Sequence, residues 1–361
     1  MQGMTNSSSH TASAFGIEAL GLDEIRQTLE RMGYPKFRSK QLIQWVYEKQ
    51  ACSYDEMTNL PAKMRSELSG KIPLNIPVIA DKRASKDGSR KYILTLADGC
   101  QVETVGIPSM ENPRNGEGRR LTVCISSQVG CPMACAFCAT GREGLSRNLH
   151  PGEMIQQVLT VQRDFGIRVS NVVVMGQGEP FLNYENLIKA LHIINSNEGL
   201  AIGARHITVS TCGILEGIER FGREEEQFTL AISLHAARQS IRDALMPKCA
   251  KMPLPTLKDT LKRYYDNSKR RVSFEYLMID GINDTNEDLI ALIRYCKGLH
   301  AHVNLIPLND IDGSPWKPSG KAKISHWIDS LGDSGIEATL RNSRGSDIDG
   351  ACGQLKNKKR S

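Results

Sequence analysis

The 361-residue chain contains no apolar run long enough to cross a bilayer, for which about 18 residues would be needed. It also lacks a secretory signal, because residues 1–16 are polar and Ser-rich, without a basic start or an apolar core. A cytoplasmic protein with no membrane partner is expected. A strong charge of either sign is missing as well. Lys and Arg number 46 against 40 Asp and Glu, a net +6 that permits a polyanionic partner without demanding one. The 10 cysteines are spread through a long chain with no export signal, so a disulfide framework is not their expected purpose. Metal binding or catalysis is expected of any that cluster.

With 40% hydrophobic residues the chain can fill one large α/β core and a smaller appendage. Residues 1–20 are expected to be a disordered tail and 21–76 a helical accessory domain. Ile25, Leu29 and Met32 share a helical face that Gly33 and Pro35 end, and Leu42, Trp45 and Val46 mark a second helix. Lys36, Arg38 and Lys40 crowd the edge between them, and a solvated helix start explains them as well as a phosphate-binding edge does. Over 77–116 a β-hairpin extension and loop are expected, from short strand patterns punctuated by Asp87-Gly88 and Asp98-Gly99. In the core, 117–347, strand patterns at 121–126, 171–175, 206–210, 228–233, 272–277 and 303–308 alternate with helical stretches. This predicts an α/β fold, six parallel βα units curled into a partial barrel, with functional residues just after the strand ends. Residues 348–361 form a C-terminal segment with a basic tail.

The segment Gly130-Cys131-Pro132-Met133-Ala134-Cys135-Ala136-Phe137-Cys138 follows the first core strand and puts three thiols on one loop. Such a loop can wrap a metal centre. A structural zinc site takes four protein ligands, and no fourth Cys or His lies at a usual spacing, His150 being poorly placed. A [4Fe-4S] cluster on three cysteines leaves one iron open to an exogenous ligand, whereas electron-carrier ferredoxins supply four. A zinc site with a distant fourth ligand stays as the alternative. This Cx3Cx2C loop, with an aromatic residue before its last cysteine, resembles that of the radical S-adenosylmethionine superfamily. The resemblance implies that S-adenosylmethionine chelates the open iron and is cleaved on reduction to a 5′-deoxyadenosyl radical.

After the second core strand, Met175-Gly176-Gln177-Gly178-Glu179-Pro180 is similar to the superfamily's Gly-Gly-Glu-Pro motif, with Gln177 as a departure that affects no charged contact. Gly178 lets the backbone approach a ligand, and Glu179 is suited to hold an ammonium. The third strand ends at Ser210, the fourth at Ser233-Leu234-His235-Ala236, and Asn309 follows the sixth. Together they set hydroxyl, imidazole and amide groups on one rim, suited to ribose and carboxylate recognition.

Over residues 20 to 355 the chain resembles the RlmN/Cfr family of radical RNA methyltransferases. The resemblance rests on Val102-Glu103-Thr104-Val105, on 124–131 read as CISSQVGC, and on Asp347-Ile348-Asp349-Gly350-Ala351-Cys352-Gly353-Gln354-Leu355. It implies 2-methyladenosine as product, in 23S rRNA at the peptidyl-transferase centre and in tRNA beside the anticodon. Two S-adenosylmethionine molecules would be consumed per turnover, with an electron donor such as flavodoxin or ferredoxin. Carbon 2 of adenine is electron-poor, so polar attack on a sulfonium methyl is blocked and a radical route is needed. By the resemblance, Cys352 accepts a methyl as a thiolate, loses a hydrogen to the radical, and adds to the base as a methylene radical. Glu103 is similar to the family's acceptor of the carbon-2 proton. Cys124 is similar to the thiol that then attacks Cys352, freeing the RNA and leaving a transient disulfide. The chain departs from the family pattern at Ala237-Arg238-Gln239, Leu308 and Asp310, none of them a catalytic group. Two alternatives stay open, a relative that methylates carbon 8 and a noncatalytic metal-containing RNA-binding protein; the second leaves Cys124, Cys352 and Glu179 without a role.

Overall fold

The computed structural model describes residues 16–109, 120–311 and 313–356. Of the tail expected over 1–20, residues 1–15 lie outside these, as do nearly all of the expected 109–119 loop and the basic tail beyond Lys356; residues 16–20 are described and are ordered, with Ile17 and Leu20 buried in the main apolar cluster. Helices α1 (Leu22–Arg31), α2 (Lys36–Ile43) and α3 (Ala62–Lys71) come first. α1 buries Ile25 and Leu29, the face its periodicity marks. α2 continues as a π-helical turn over Gln44–Glu48, which buries Val46 and Tyr47. These side chains share one apolar cluster with Ile155 and Leu159 of the core, so the helical unit is fused to the core by hydrophobic contact.

The next strands, β1 (Val78–Ala84), β2 (Arg90–Thr95), β3 (Gln101–Ser109) and β4 (Arg120–Cys124), pair antiparallel in chain order. β5 (Gln128–Gly130) and β6 (Leu145–Asn148) form a separate hairpin. Helices and strands then alternate: α4 (Pro151–Phe165), β7 (Asn171–Val174), α5 (Tyr184–Asn195), β8 (Ile207–Thr211), α6 (Leu215–Phe221) and β9 (Thr229–Ser233). They continue with α7 (Gln239–Leu245), α8 (Leu254–Ser268), β10 (Val272–Met278), α9 (Asn286–Cys296), β11 (Ala301–Pro307), α10 (Lys321–Asp333) and β12 (Glu337–Leu340).

From β4 the ladder β7, β8, β9, β10, β11, β12 is parallel throughout. It lies in one 10-stranded sheet that runs from β1 to β12 without closing. β10 shows why the pattern works: between an outer helical layer and the barrel interior, five of its residues in a row are buried. The expected partial α/β barrel is therefore present, with two differences. A seventh parallel strand, β12, follows the expected six; its residues are mostly exposed, so no buried run announces it. The hairpin extension is also no separate linker, because β3 pairs with β4 and carries the barrel sheet on to β1.

Candidate active site

The cysteine loop is shaped by a hairpin that the sequence did not announce. β5 and β6 bring Gly130 against Gly144, where Cys131 N–H donates to Gly144 O at 2.8 Å. A Cβ on Gly130 would lie 2.0 Å from that same oxygen, and its φ is +77°, so only glycine fits. The loop is then tied down at two more points: Ala136 N–H donates to Leu245 O at 2.9 Å, and Ala139 N–H to Gly353 O at 2.8 Å.

Cys131, Cys135 and Cys138 line one cavity of about 160 Å³ together with Gly178, Glu179, Ser210, Ser233, His235 and Cys352. Burial raises all three thiols, Cys131 to about 12, and Cys138 further raises the other two. Backbone N–H groups of Met133 and Gly178 face the Cys131 sulfur, and those of Thr140 and Gly141 the Cys138 sulfur. Three such thiolates side by side require a cationic centre, and the donor set fits one. Among the described residues, the only trio of ligand atoms all within 4.8 Å of one another is His192, Glu224 and Glu226. The three thiols are thus more widely spread, whereas sulfurs on a single zinc at about 2.3 Å would sit about 3.8 Å apart. That spread favours a multinuclear cluster over one zinc ion.

The rest of the cavity is built from strand ends, as expected. Glu179 is buried, which raises its carboxyl, and it accepts hydrogen bonds from Phe181 N at 3.1 Å and Cys212 N at 2.8 Å. Gly178 has φ +110°, and a Cβ there would meet Ser127 Oγ at 2.7 Å. Ser210 Oγ and Ser233 Oγ are 3.1 Å apart, one hydroxyl pair from two adjacent strands. Burial and the nearby Arg242 push His235 down to about 3, so its ring is neutral. Its Nδ1 accepts Leu277 N–H at 3.1 Å, which leaves the proton on Nε2, and its ring meets the Phe137 ring edge-on at 4.7 Å.

Two residues of the expected set lie elsewhere. Leu234 is fully buried in the main core, not on the cavity wall. Asn309 is absent from the cavity lining and donates from Nδ2 to Cys352 O at 3.0 Å, so it holds the C-terminal segment. Gln177 does more than its silent position suggested, since its Oε1 accepts Glu103 N–H at 3.2 Å and ties the Gly-rich turn to β3.

Cys124 ends β4 beside a second cavity of about 250 Å³, lined also by Met175, Arg341, Leu355 and Cys352. Burial, and then the neighbouring Cys352, push the Cys124 thiol up to about 12. Cys352 is the one cysteine that lines both cavities. Its segment is docked by Gln354 Nε2 on Asp310 O at 2.8 Å and Thr140 Oγ1 on Leu355 O at 2.5 Å. The hairpin turn between β1 and β2 reaches it too: Ser85 Oγ donates to Asp347 Oδ1 at 2.6 Å and Gly345 N–H to Asp87 Oδ2 at 2.8 Å. Glu103 lines neither cavity. It is buried beside Lys91 Nζ at 2.8 Å and the backbone of Lys356, and burial pushes its carboxyl up to about 7.

Another cavity, of about 660 Å³, lies apart from this chemistry, between the N-terminal helices and α4, with Lys40, Arg163 and Arg168 on its wall. On the basic edge, Arg38 is committed to Asn59 O at 2.8 Å, whereas Lys36 and Lys40 are exposed.

Comparison with known proteins agrees with this geometry. Residues 125–295 match the radical SAM superfamily, and residues 17–73 match the ribosomal RNA large subunit methyltransferase N-terminal domain. The chain is 41% identical over 94% of its length to a probable dual-specificity RNA methyltransferase RlmN of Syntrophomonas wolfei, covering 97% of that protein. It is 44% identical over 93% of its length to the protein of the same description in Rippkaea orientalis, covering 95% of it. Its fold is similar to the crystal structure of a radical SAM methyltransferase from Sphaerobacter thermophilus, with TM-score 0.89 and 40% identity over 95% of this chain and 99% of that one.

Proposed function

Because the chain belongs to the RlmN family of radical S-adenosylmethionine RNA methyltransferases, which work with a [4Fe-4S] cluster and S-adenosylmethionine, we propose that it makes 2-methyladenosine in 23S rRNA and in tRNA. The observation that carries this reading is the position of Cys352 on the walls of both cavities, one shared with the three-cysteine loop and one with Cys124. Cys131, Cys135 and Cys138 would hold the cluster, and when bound it supplies the electron, drawn from a flavodoxin or ferredoxin, that cleaves S-adenosylmethionine to a 5′-deoxyadenosyl radical. Glu179 accepts the ammonium of S-adenosylmethionine, and the hydroxyls of Ser210 and Ser233 with the Nε2–H of His235 orient the rest.

Cys352 would receive a methyl from one S-adenosylmethionine, with S-adenosylhomocysteine as the leaving group, give up a hydrogen atom to the radical from a second, and join the base through the methylene carbon, the unpaired electron left on the base being returned to the oxidised cluster. Glu103, with a carboxyl near neutrality, is suited to take the carbon-2 proton, and the segment around Lys356 has to move aside for the base to reach it. Cys124 then attacks Cys352 and releases the RNA. The helical unit at 21–76, with Lys36 and Lys40 exposed, would face the RNA. The test is incubation with both RNAs, followed by mass and NMR analysis of the modified nucleoside. A methyl on carbon 2 is expected; a methyl on carbon 8, or none, overturns the reading.

A further inference from the structure

Arg341 follows β12 in a polar stretch with no motif of its own, yet its side chain lines the cysteine-loop cavity, the Cys124 cavity and a third cavity beneath them. It is anchored there. Its Nη1 lies 3.2 Å from Glu275 Oε2 and 3.4 Å from Met175 Sδ. Glu275, itself buried, is held on its other oxygen by Asn304 Nδ2 at 2.9 Å. The charge of Arg341 interacts most strongly with Cys352, then with Glu275 and Cys124.

The surroundings of Cys124 make that position informative. Val105 and Leu355 pack on it as apolar groups, and the N–H of Met175 faces its sulfur. Among the described residues, two titratable or charged groups bear on it: Cys352, which disfavours the thiolate, and Arg341, which favours it. We propose that Arg341 is the positioning residue of the thiol exchange, a fixed guanidinium that lets the buried Cys124 attack Cys352. This rests on the roles proposed above for the two cysteines and adds the charge that their exchange lacks. In the step, Cys124 Sγ bonds to Cys352 Sγ and the bond from that sulfur to the methylene carbon breaks. The electron pair stays on the carbon, which takes a proton to become the methyl, and a dithiol reductant later returns the disulfide to two thiols. Negative charge leaves the Cys124 sulfur and passes by way of the Cys352 sulfur to the departing carbon, and a guanidinium on the cavity wall that both cysteines share favours the attacking thiolate.

The experiment compares Arg341→Gln, Arg341→Lys and Cys124→Ala with the wild type, all purified as cluster-loaded protein from cells. Iron content and 5′-deoxyadenosine formation check that each variant is folded and makes the radical. Peptide mass reads S-methylation of Cys352, and denaturing electrophoresis reads RNA bound covalently. Arg341→Gln is expected to carry the S-methyl and to accumulate RNA-linked protein, as Cys124→Ala does. Unlike the adduct of Cys124→Ala, its adduct should decay, and about tenfold faster per pH unit because only the thiolate attacks. Arg341→Lys should restore most of the release. Release by Arg341→Gln at the wild-type rate, a missing S-methyl in that variant alone, or an adduct whose decay ignores pH overturns the assignment. Absence of the adduct in Cys124→Ala, or of the S-methyl in the wild type, instead overturns the cysteine roles on which it rests.

Discussion

Replacing Gly130 by alanine should strip the metal centre, while the same change at Gly144 should not. The two glycines have nearly equal φ, +77° and +75°, so each substitution carries about the same left-handed cost, roughly 1–2 kcal/mol. They differ in space. A Cβ at Gly144 meets nothing within 4 Å, whereas a Cβ at Gly130 falls 2.0 Å from Gly144 O. To relieve that overlap, β6 must move away from β5 by about 1 Å or more, which breaks the Cys131 N–H bond to Gly144 O and leaves a donor unpaired, at about 1–3 kcal/mol. The extra penalty of about 2 kcal/mol corresponds to about 30-fold faster opening of the loop that carries Cys131. The assay is cluster loss, followed as iron released to a chelator from anaerobically loaded protein, with wild type and Gly144→Ala as references. If Gly130→Ala and Gly144→Ala lose iron at the same rate, the hairpin does not shape the loop and the reasoning fails.

The two mechanistic cysteines should fail differently: Cys352→Ala should keep the cluster but carry neither S-methyl nor RNA, while Cys124→Ala should trap RNA through Cys352 at up to about one per chain. A trapped species in Cys352→Ala would reverse their order. Glu18, pushed by burial from 4.5 to about 7, gives a stability term with a definite sign. The unfolded chain releases this proton near pH 4.5 and the folded one only near 7, so stability is lost as pH rises through that window, by up to about 3 kcal/mol. Urea unfolding at about pH 5 and about pH 8 should show the loss in wild type and a flatter profile in Glu18→Gln; equal slopes would refute it. Finally, Lys36→Glu with Lys40→Glu should weaken RNA binding and lower the slope of log affinity against log salt by about two, and an unchanged slope would place the phosphate contacts elsewhere.

What could be read from the sequence followed burial. Each of the six expected parallel strands buries Val, Ile, Leu or Phe side chains between helices and barrel interior, and all six are where they were expected. β12 escaped because Glu337 and Leu340 face solvent, and β5 because three residues are too few for any periodicity. In the candidate site, residues on motifs came together: the cysteine loop, Gly178-Glu179 and the serines and histidine at strand ends line one cavity. Leu234 and Asn309 were expected on the rim from their places after the fourth and sixth strands, and the side chain of the first turned into the core while that of the second took the Cys352 carbonyl. Arg341 was invisible, since a single arginine in a polar stretch becomes notable only when the fold sets it on one cavity with two thiols 228 residues apart in sequence, Cys124 and Cys352.

The bond from Ser85 to Asp347 joins positions 262 residues apart. Closing such a loop in an open chain would carry about 5 kcal/mol of lost entropy, so the contact cannot nucleate folding. It forms once the strands between have brought the two ends together, which makes the Cys352 segment the last piece to dock. The same order in reverse makes it the first to detach, since it is held chiefly by hydrogen bonds and the few apolar contacts of Ile348, Ala351 and Leu355. Amide exchange over 345–355 should therefore outrun that of β10, and the thiol proposed to carry the methyl rides on a piece of chain that can lift away while the barrel remains folded.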